Sequence, residues 1–199
     1  MKITAWKNDY DLVIISEKEA IKMQPDYYLV LPWHFKEEFI KNAFYRLDEN
    51  MRMVSIALDK ITEEDVWRKP NKSSNSIANL ILHLCGNITQ YGISSLQSTE
   101  DKRARDEEFT VAGGLTKAQL LEQLESTVNE VKSTILNLPE SRFTEIKTVQ
   151  GYSFSGIGNI IHLVEHFSYH TGQIAFWVKL MKDEQLGFYD GQDLNARSE

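Results

Sequence analysis

The stretch IKNAFYRLDENMRMVSIALDKI (residues 40–61) carries apolar side chains at Ile40, Phe44, Leu47, Met51, Val54, Leu58 and Ile61, in alternating steps of four and three. That period holds one apolar stripe on one face of an α-helix and predicts a helix over about residues 33–61. Three further segments carry helical signals. The second begins after Ser76, an N-cap residue, and continues through Ile77, Leu80, Ile81, Leu84, Ile88 and Tyr91. The third opens at Thr116 with Gln119 three residues on, a capping-box pattern, with Leu115 ahead of it as a hydrophobic staple. Its stripe is Leu120, Leu124, Val128, Val131, Ile135 and Leu138, and Pro139 ends it. The fourth runs from near Gly156 to about Met181. Four long helices and no run of alternating strands predict an all-α fold, a four-helix bundle.

A chain of 199 residues is long enough for one domain with a sizeable core. The expected division is an irregular N-terminal extension over 1–32, the bundle over 33–190 and a tail over 191–199. In the extension, DYDLVIIS and DYYLVLP read as short extended pieces that pack on the bundle or form an edge hairpin. The connections over 62–75, 97–115 and 139–155 are long enough to carry short elements or function of their own. The run DKRARDEE (101–108) reads as a solvated charged loop.

The net charge of −7 argues against a surface that tracks nucleic-acid phosphates. A single cysteine, Cys85, excludes an intrachain disulfide and reads as a small core residue. Between Phe154 and Val178 only Glu165 carries a formal charge, but three histidines, an Asn and a Gln there oppose a membrane-spanning reading. No signal peptide is read at the N-terminus, and a cytoplasmic location is expected.

Histidines occur at 34, 83, 162, 166 and 170. Four residues along an α-helix bring a side chain back to within about 40° of its starting direction, one turn higher. His166 and His170 can therefore aim at one point, and so can His162 and His166. All three cannot easily serve one ion, because eight residues span roughly 12 Å of axial rise. Two ligands from one helix need a third from another. His83, beside the apolar stripe of the second helix, is the natural third. His34 reads as structural or surface, and His162 as a group that orients a ligand or substrate, or as simple packing. HLVEH (162–166) matches the H-x-x-E-H pattern of inverted zinc peptidases, but too little chain follows His166 for that machinery. Glu165 then reads as a helix-surface charge. There is no Gly-rich phosphate loop, and GYSFSG lacks the glycine a serine nucleophile elbow needs.

The motifs LILHLCGN around His83 and EHFSYHTGQI around His166, His170 and Gln173 resemble the DinB-like, or YfiT-like, superfamily, and in particular a branch labelled a domain of unknown function. EEDVWRKP, the RARDEEF loop, TVQGYSFSG and LGFYDG extend the resemblance over about residues 35–189. It implies a four-helix bundle of the DinB-like type, a homodimer in many members, with a three-histidine metal site. Matched motif by motif, the ligands would be His83, His166 and His170. Gln173 belongs to the same H-x-x-x-H-x-x-Q stretch. Relatives include transferases using low-molecular-weight thiols, a thiol-dependent isomerase and metal-dependent hydrolases.

Three histidine ligands leave coordination positions open, as catalytic ions require. The expected cofactor is one divalent metal ion, zinc or nickel first, iron or manganese next. Such an ion can lower the pKa of a bound water to about 7 or deprotonate a thiol. The first reading is a metal-dependent transferase acting with a small thiol. The alternatives are a metal-dependent hydrolase and a non-catalytic metal-bound binding module. Leu163, Ile174, Trp177 and Leu180 are expected to make the pocket partly apolar, with His162, Gln173, Tyr169, Asn87 and Gln90 as polar contacts. The partners expected are a small-molecule substrate and a second copy of the chain, with no nucleic acid and no membrane.

Overall fold

The computed structural model of the chain describes residues 2–6, 12–16, 22 and 35–197. It divides into two units, 1–41 and 42–199. The first contains an antiparallel hairpin of β1 (Lys2–Trp6) and β2 (Leu12–Ser16), with Trp6 opposite Leu12 and Lys2 opposite Ser16. The extended reading of DYDLVIIS thus holds over 12–16, and its partner in the hairpin is the stretch over 2–6. DYYLVLP and His34 lie outside the described residues.

Helix α1 (Lys36–Asp59) carries the stripe that opened the reading and buries Ala43, Leu47, Asn50, Val54, Ala57 and Leu58. Phe44 and Met51 are only half-buried; Phe44 carries the Lys132 ammonium over its ring at 5.3 Å. The short helix α2 (Glu63–Trp67) follows, with Thr62 and Asp65 closing a capping box. Helix α3 (Ile77–Ile88) starts at the expected Ser76 cap, whose hydroxyl accepts from the Asn79 amide. Of its residues only Leu82 and Gly86 escape burial, as expected for a helix packed on nearly every side.

The α3 axis runs on through a π-helical stretch, Thr89–Ser94, in which the Ser95 N–H donates to the Gln90 carbonyl, and through a last turn, Ser95–Gln97. Ser98, at φ 57°, ends it. Gly92 sits in the π stretch where a Cβ would collide with Val131 and lie 2.8 Å from Leu163, so its missing side chain lets neighbouring helices close on α3.

The long connections hold short elements, as their length suggested. The first of them carries α2. Helix α4 (Arg105–Thr110) lies in the charged run, and α6 (Glu140–Thr144) and a hairpin of β3 (Ile146–Val149) and β4 (Tyr152–Ser155) lie between the last two long helices. The hairpin turns on Gln150 and Gly151, at φ 51° and 83°, the left-handed pair that a two-residue type I′ turn demands. Helix α5 (Lys117–Leu136) has the expected Thr116–Gln119 capping box and buries Leu120, Leu124, Val128, Val131 and Ile135. Helix α7 (Gly156–Lys182) starts at a Ser155 cap. The long helices α1, α3, α5 and α7 are the four that the periodicity predicted. No helix among the described residues is long and apolar enough to cross a membrane.

Candidate metal centre

Helices α3 and α7 run antiparallel along the site, so His83 meets His166 while Asn87, one turn further, meets His162. The four-residue spacing in α7 brings His170 to the same place as His166. One ring nitrogen from each of His83, His166 and His170 lies within 4.8 Å of the others. The ring centroids of His83 stand 5.0 Å from those of both partners, and His166 and His170 stand 4.5 Å apart. The structure thus brings together the three histidines expected, from two helices, and leaves His162 outside the group.

The outer nitrogens of two rings are anchored. His83 Nδ1 lies 2.8 Å from Glu108 Oε2, and His170 Nδ1 lies 2.7 Å from Gln173 Oε1. An amide oxygen can only accept, so His170 Nδ1 carries the proton; His83 Nδ1 faces both the Glu108 acceptor and, at 3.0 Å, the Arg103 Nη2 donor, and would carry its proton toward Glu108 when its Nε2 holds a metal. Gln173 is in turn oriented by donating from Nε2 to the Tyr169 hydroxyl at 3.0 Å.

Glu108 comes from the run read as a solvated charged loop, and here the structure corrects the reading. Arg103 and Glu108 form a two-point ion pair, Nε to Oε1 at 2.7 Å and Nη2 to Oε2 at 2.8 Å, with side chains only 4% and 10% exposed. Arg103 Nη1 also donates to Gln90 Oε1 at 2.8 Å, and Gln90 Nε2 donates to Asp101. Charges in this run satisfy each other and a histidine, which is what permits their burial. Gly86 makes the fit possible. A Cβ there would collide with Glu108 Oε1 and lie 2.8 Å from Arg103 Nε. Gln90, expected as a pocket contact, holds Arg103 instead.

The electrostatics suit a cation. Burial, then the neighbouring His170 and His83, push the His166 imidazolium down to about 3. Burial likewise brings His170 down to about 4, against the opposing pull of the Gln173 hydrogen bond. Both rings are neutral near pH 7, the form that ligates metals. Burial would raise the Glu108 carboxyl, but hydrogen bonds from Arg103 and His83 outweigh it and hold the group below the usual carboxylate value. The Nε2 atoms of His83 and His166 are 2.9 Å apart. Two nitrogens about 2.0–2.1 Å from one ion at angles between square and tetrahedral stand about 2.9–3.4 Å apart, so this pair of donors fits, and the third lies within 4.8 Å of them.

A cavity of about 270 Å³ opens beside the cluster, lined among others by His166, His162, Arg105, Tyr152 and Phe154. Its aromatic wall comes from the β3–β4 hairpin and not from the residues expected. Leu163 and Ile174 are fully buried in the core, Leu180 is exposed, and none of these, nor Trp177, lines it. His162 packs against Tyr91 with ring centroids 4.0 Å apart and planes tilted by 35°, and accepts a long hydrogen bond, 3.4 Å, from Asn87 Nδ2. Burial lowers the pKa of His162, with Glu165 opposing. Asn87 Oδ1 is buried without a hydrogen-bond partner. Cys85 is buried, as expected, and burial pushes its thiol up to about 12.

A helical bundle with three imidazoles converging between two of its long helices defines the class by fold, one shared with a protein described as DinB-like. Two solved structures share the fold. A conserved protein of Enterococcus faecalis aligns over 72% of this chain and 97% of its own, with a TM-score of 0.61 and 16% identity. A DinB-like protein of Bacillus subtilis, YjoA, aligns over 70% and 91%, with a TM-score of 0.54 and 14% identity. The chain belongs to the family described as "Protein of unknown function (DUF1572)", whose model matches residues 34–189. The model of a C-methyltransferase C-terminal domain matches residues 2–56, a stretch that contains none of His83, His166 and His170. No curated protein matches.

Proposed function

We propose that the chain is a divalent-metal-dependent enzyme in which His83, His166 and His170 hold one ion, and that it transfers a low-molecular-weight thiol to a small electrophile. The observation that carries the reading is the convergence of three ring nitrogens within 4.8 Å, two of the rings anchored from behind by Glu108 and Gln173. A structural zinc usually has four protein ligands, whereas three leave room for a reactant. When bound, the ion supplies Lewis acidity and open coordination positions. The chain does the rest. Glu108 and Gln173 fix ring orientation, the neutral imidazoles of His166 and His170 keep their donors ready, and the cavity beside His166 and His162 receives the reactants. Exposed Tyr169, Phe176 and Leu180, seven and four residues apart on α7, support a homodimer through that face; light scattering of the purified protein tests it.

The test is elemental analysis of protein purified without chelator or affinity tag, beside His83→Ala, His166→Ala and His170→Ala. Wild type is expected to hold one zinc or nickel per chain and each variant to lose it. Variants that keep full occupancy overturn the site. Turnover that requires an added thiol supports transfer, and turnover of esters without one replaces transfer by hydrolysis. Metal retention with neither activity leaves a binding module.

A further inference from the structure

We infer that the cavity beside the three histidines binds a small organic anion with a flat, unsaturated body, its carboxylate at Arg105 and its body against Tyr152 and Phe154. The assignment rests on the proposed thiol transfer only in making this molecule the electrophile; the binding stands without it.

Charge comes first. The chain carries 29 acidic residues against 22 basic ones, yet no Asp or Glu lines this cavity, and two arginines do. Arg103 is spent: its guanidinium donates to Glu108 and Gln90, and Glu108 cancels its charge. Arg105 is different. It lies over the Phe109 ring at 5.1 Å and has no carboxylate partner among the described residues. A cation in an acidic protein, held at the mouth of a cavity and left without a counter-charge, fits an anionic ligand.

Shape gives the second half. Tyr152 and Phe154, two residues apart on β4 and so on one face of it, hold their rings parallel within 2° at 6.0 Å. His162 continues the stack at 6.1 Å from Phe154, and Tyr91 lies 4.0 Å beyond. Tyr152 is 62% exposed, a large ring held in register with nothing covering its outer side. The cavity volume of about 270 Å³ admits a small molecule only. Parallel rings beside a lone guanidinium select a planar body with one charged end.

The test titrates the full chain, with and without one equivalent of zinc, with benzoate and its neutral isostere benzamide, followed by calorimetry. Benzoate is expected to bind saturably and at least about tenfold tighter than benzamide, the order that one charge-assisted bond brings. Arg105→Gln, at an exposed position that leaves the fold intact, is expected to erase that preference while benzamide binding is unchanged. Phe154→Ala is expected to weaken both probes. Equal affinity for the two probes, no saturable benzoate binding, or a benzoate preference that survives Arg105→Gln overturns the assignment. A preference for benzoate in wild type that takes up neither zinc nor nickel sinks the metal reading and keeps this one. Zinc uptake without the preference does the reverse.

Discussion

Replacing Glu108 by Gln changes one oxygen to an NH₂ group and leaves shape almost untouched, so its effect isolates what the carboxylate does for His83. In the native site the carboxylate accepts from His83 Nδ1 at 2.8 Å through Oε2 and from Arg103 Nε at 2.7 Å through Oε1. Arg103 Nη2 also donates to Oε2 at 2.8 Å, so donors meet both oxygens of a group that is only 10% exposed. An amide has one acceptor oxygen. If it turns that oxygen to Arg103, its NH₂ faces the Nδ1 proton; if it turns it to His83, its NH₂ faces a guanidinium. Either way one buried donor is left unpaired, at about 1–3 kcal/mol, and the guanidinium loses its counter-charge. Loss of such an outer partner typically weakens metal binding about 10–100-fold, or about 1.4–2.7 kcal/mol. Competition between the protein and a chromophoric chelator for zinc measures this directly, and the visible spectrum of the cobalt-substituted protein reports ligand geometry. A Glu108→Gln protein with wild-type zinc affinity and an unchanged cobalt spectrum, beside a His83→Ala protein that has lost the metal, would refute the reasoning.

Three other outcomes are expected. Gly86→Ala places a methyl group against the Arg103–Glu108 pair; overpacking costs about 1–3 kcal/mol against about 1 kcal/mol gained in helix propensity. Urea denaturation should therefore show a net loss, accompanied by weaker zinc retention; unchanged retention would mean that the pair seats without the notch. Gln173→Ala removes the acceptor on His170 Nδ1 and should weaken zinc about tenfold without altering stability by more than about 1 kcal/mol, Gln173 being exposed. Asp65 is held down to about 2 chiefly by its hydrogen bond from Lys182 and then by the Thr62 cap. A depressed carboxylate stabilises fully above its ordinary value near pH 4 and loses that contribution as pH falls toward 2. Asp65→Asn should lower Tm at pH 7 and show a smaller further drop between pH 4 and 2.5 than wild type; parallel curves would contradict the assignment.

The long helices were legible because periodicity and caps are local. The four-and-three stripe of α1, Ser76 before α3 and Thr116 with Gln119 before α5 all describe neighbours within one or two turns. The histidine trio was only partly legible in this way, since spacing aims His162 with His166 as well as His166 with His170 at one point, and the choice of His83, His166 and His170 came from the resemblance of LILHLCGN and EHFSYHTGQI to a known superfamily. Glu108 and Arg103 were not. Five residues apart on a connection, they follow no helical or strand period, and a mixed-charge run is ordinarily solvated. Only the pairing of their charges across to His83, a contact between residues 25 positions apart, explains their burial. The aromatic wall was missed similarly. Gln-Gly is a weaker turn signal than Asn-Gly, and the strands beside it are only four residues long. DYDLVIIS in the extension gave its strand but not its partner.

The π stretch within the α3 axis has a consequence for the alignment of the whole interface. Each residue of an α-helix advances about 100°, so twelve uninterrupted steps from His83 would leave Ser95 about 120° off the histidine's heading. The π stretch absorbs roughly one residue's worth of rotation and brings Ser95 back to within about 20°. On α7, seven steps of the same kind separate Asn159 from His166 with a net offset of only about 20°. Both contacts consequently close on the same pair of helices, His83 with His166 and Ser95 Oγ with Asn159 Nδ2, each at 2.9 Å. Deleting one residue between 89 and 94 would turn the stretch into plain α-helix and keep Ser95 about 20° from the histidine's heading, whereas inserting one would leave either half of the axis chemically intact and throw the two about 100° out of phase. A one-residue insertion at this point is thus a heavier lesion than a one-residue deletion, or than most substitutions inside it.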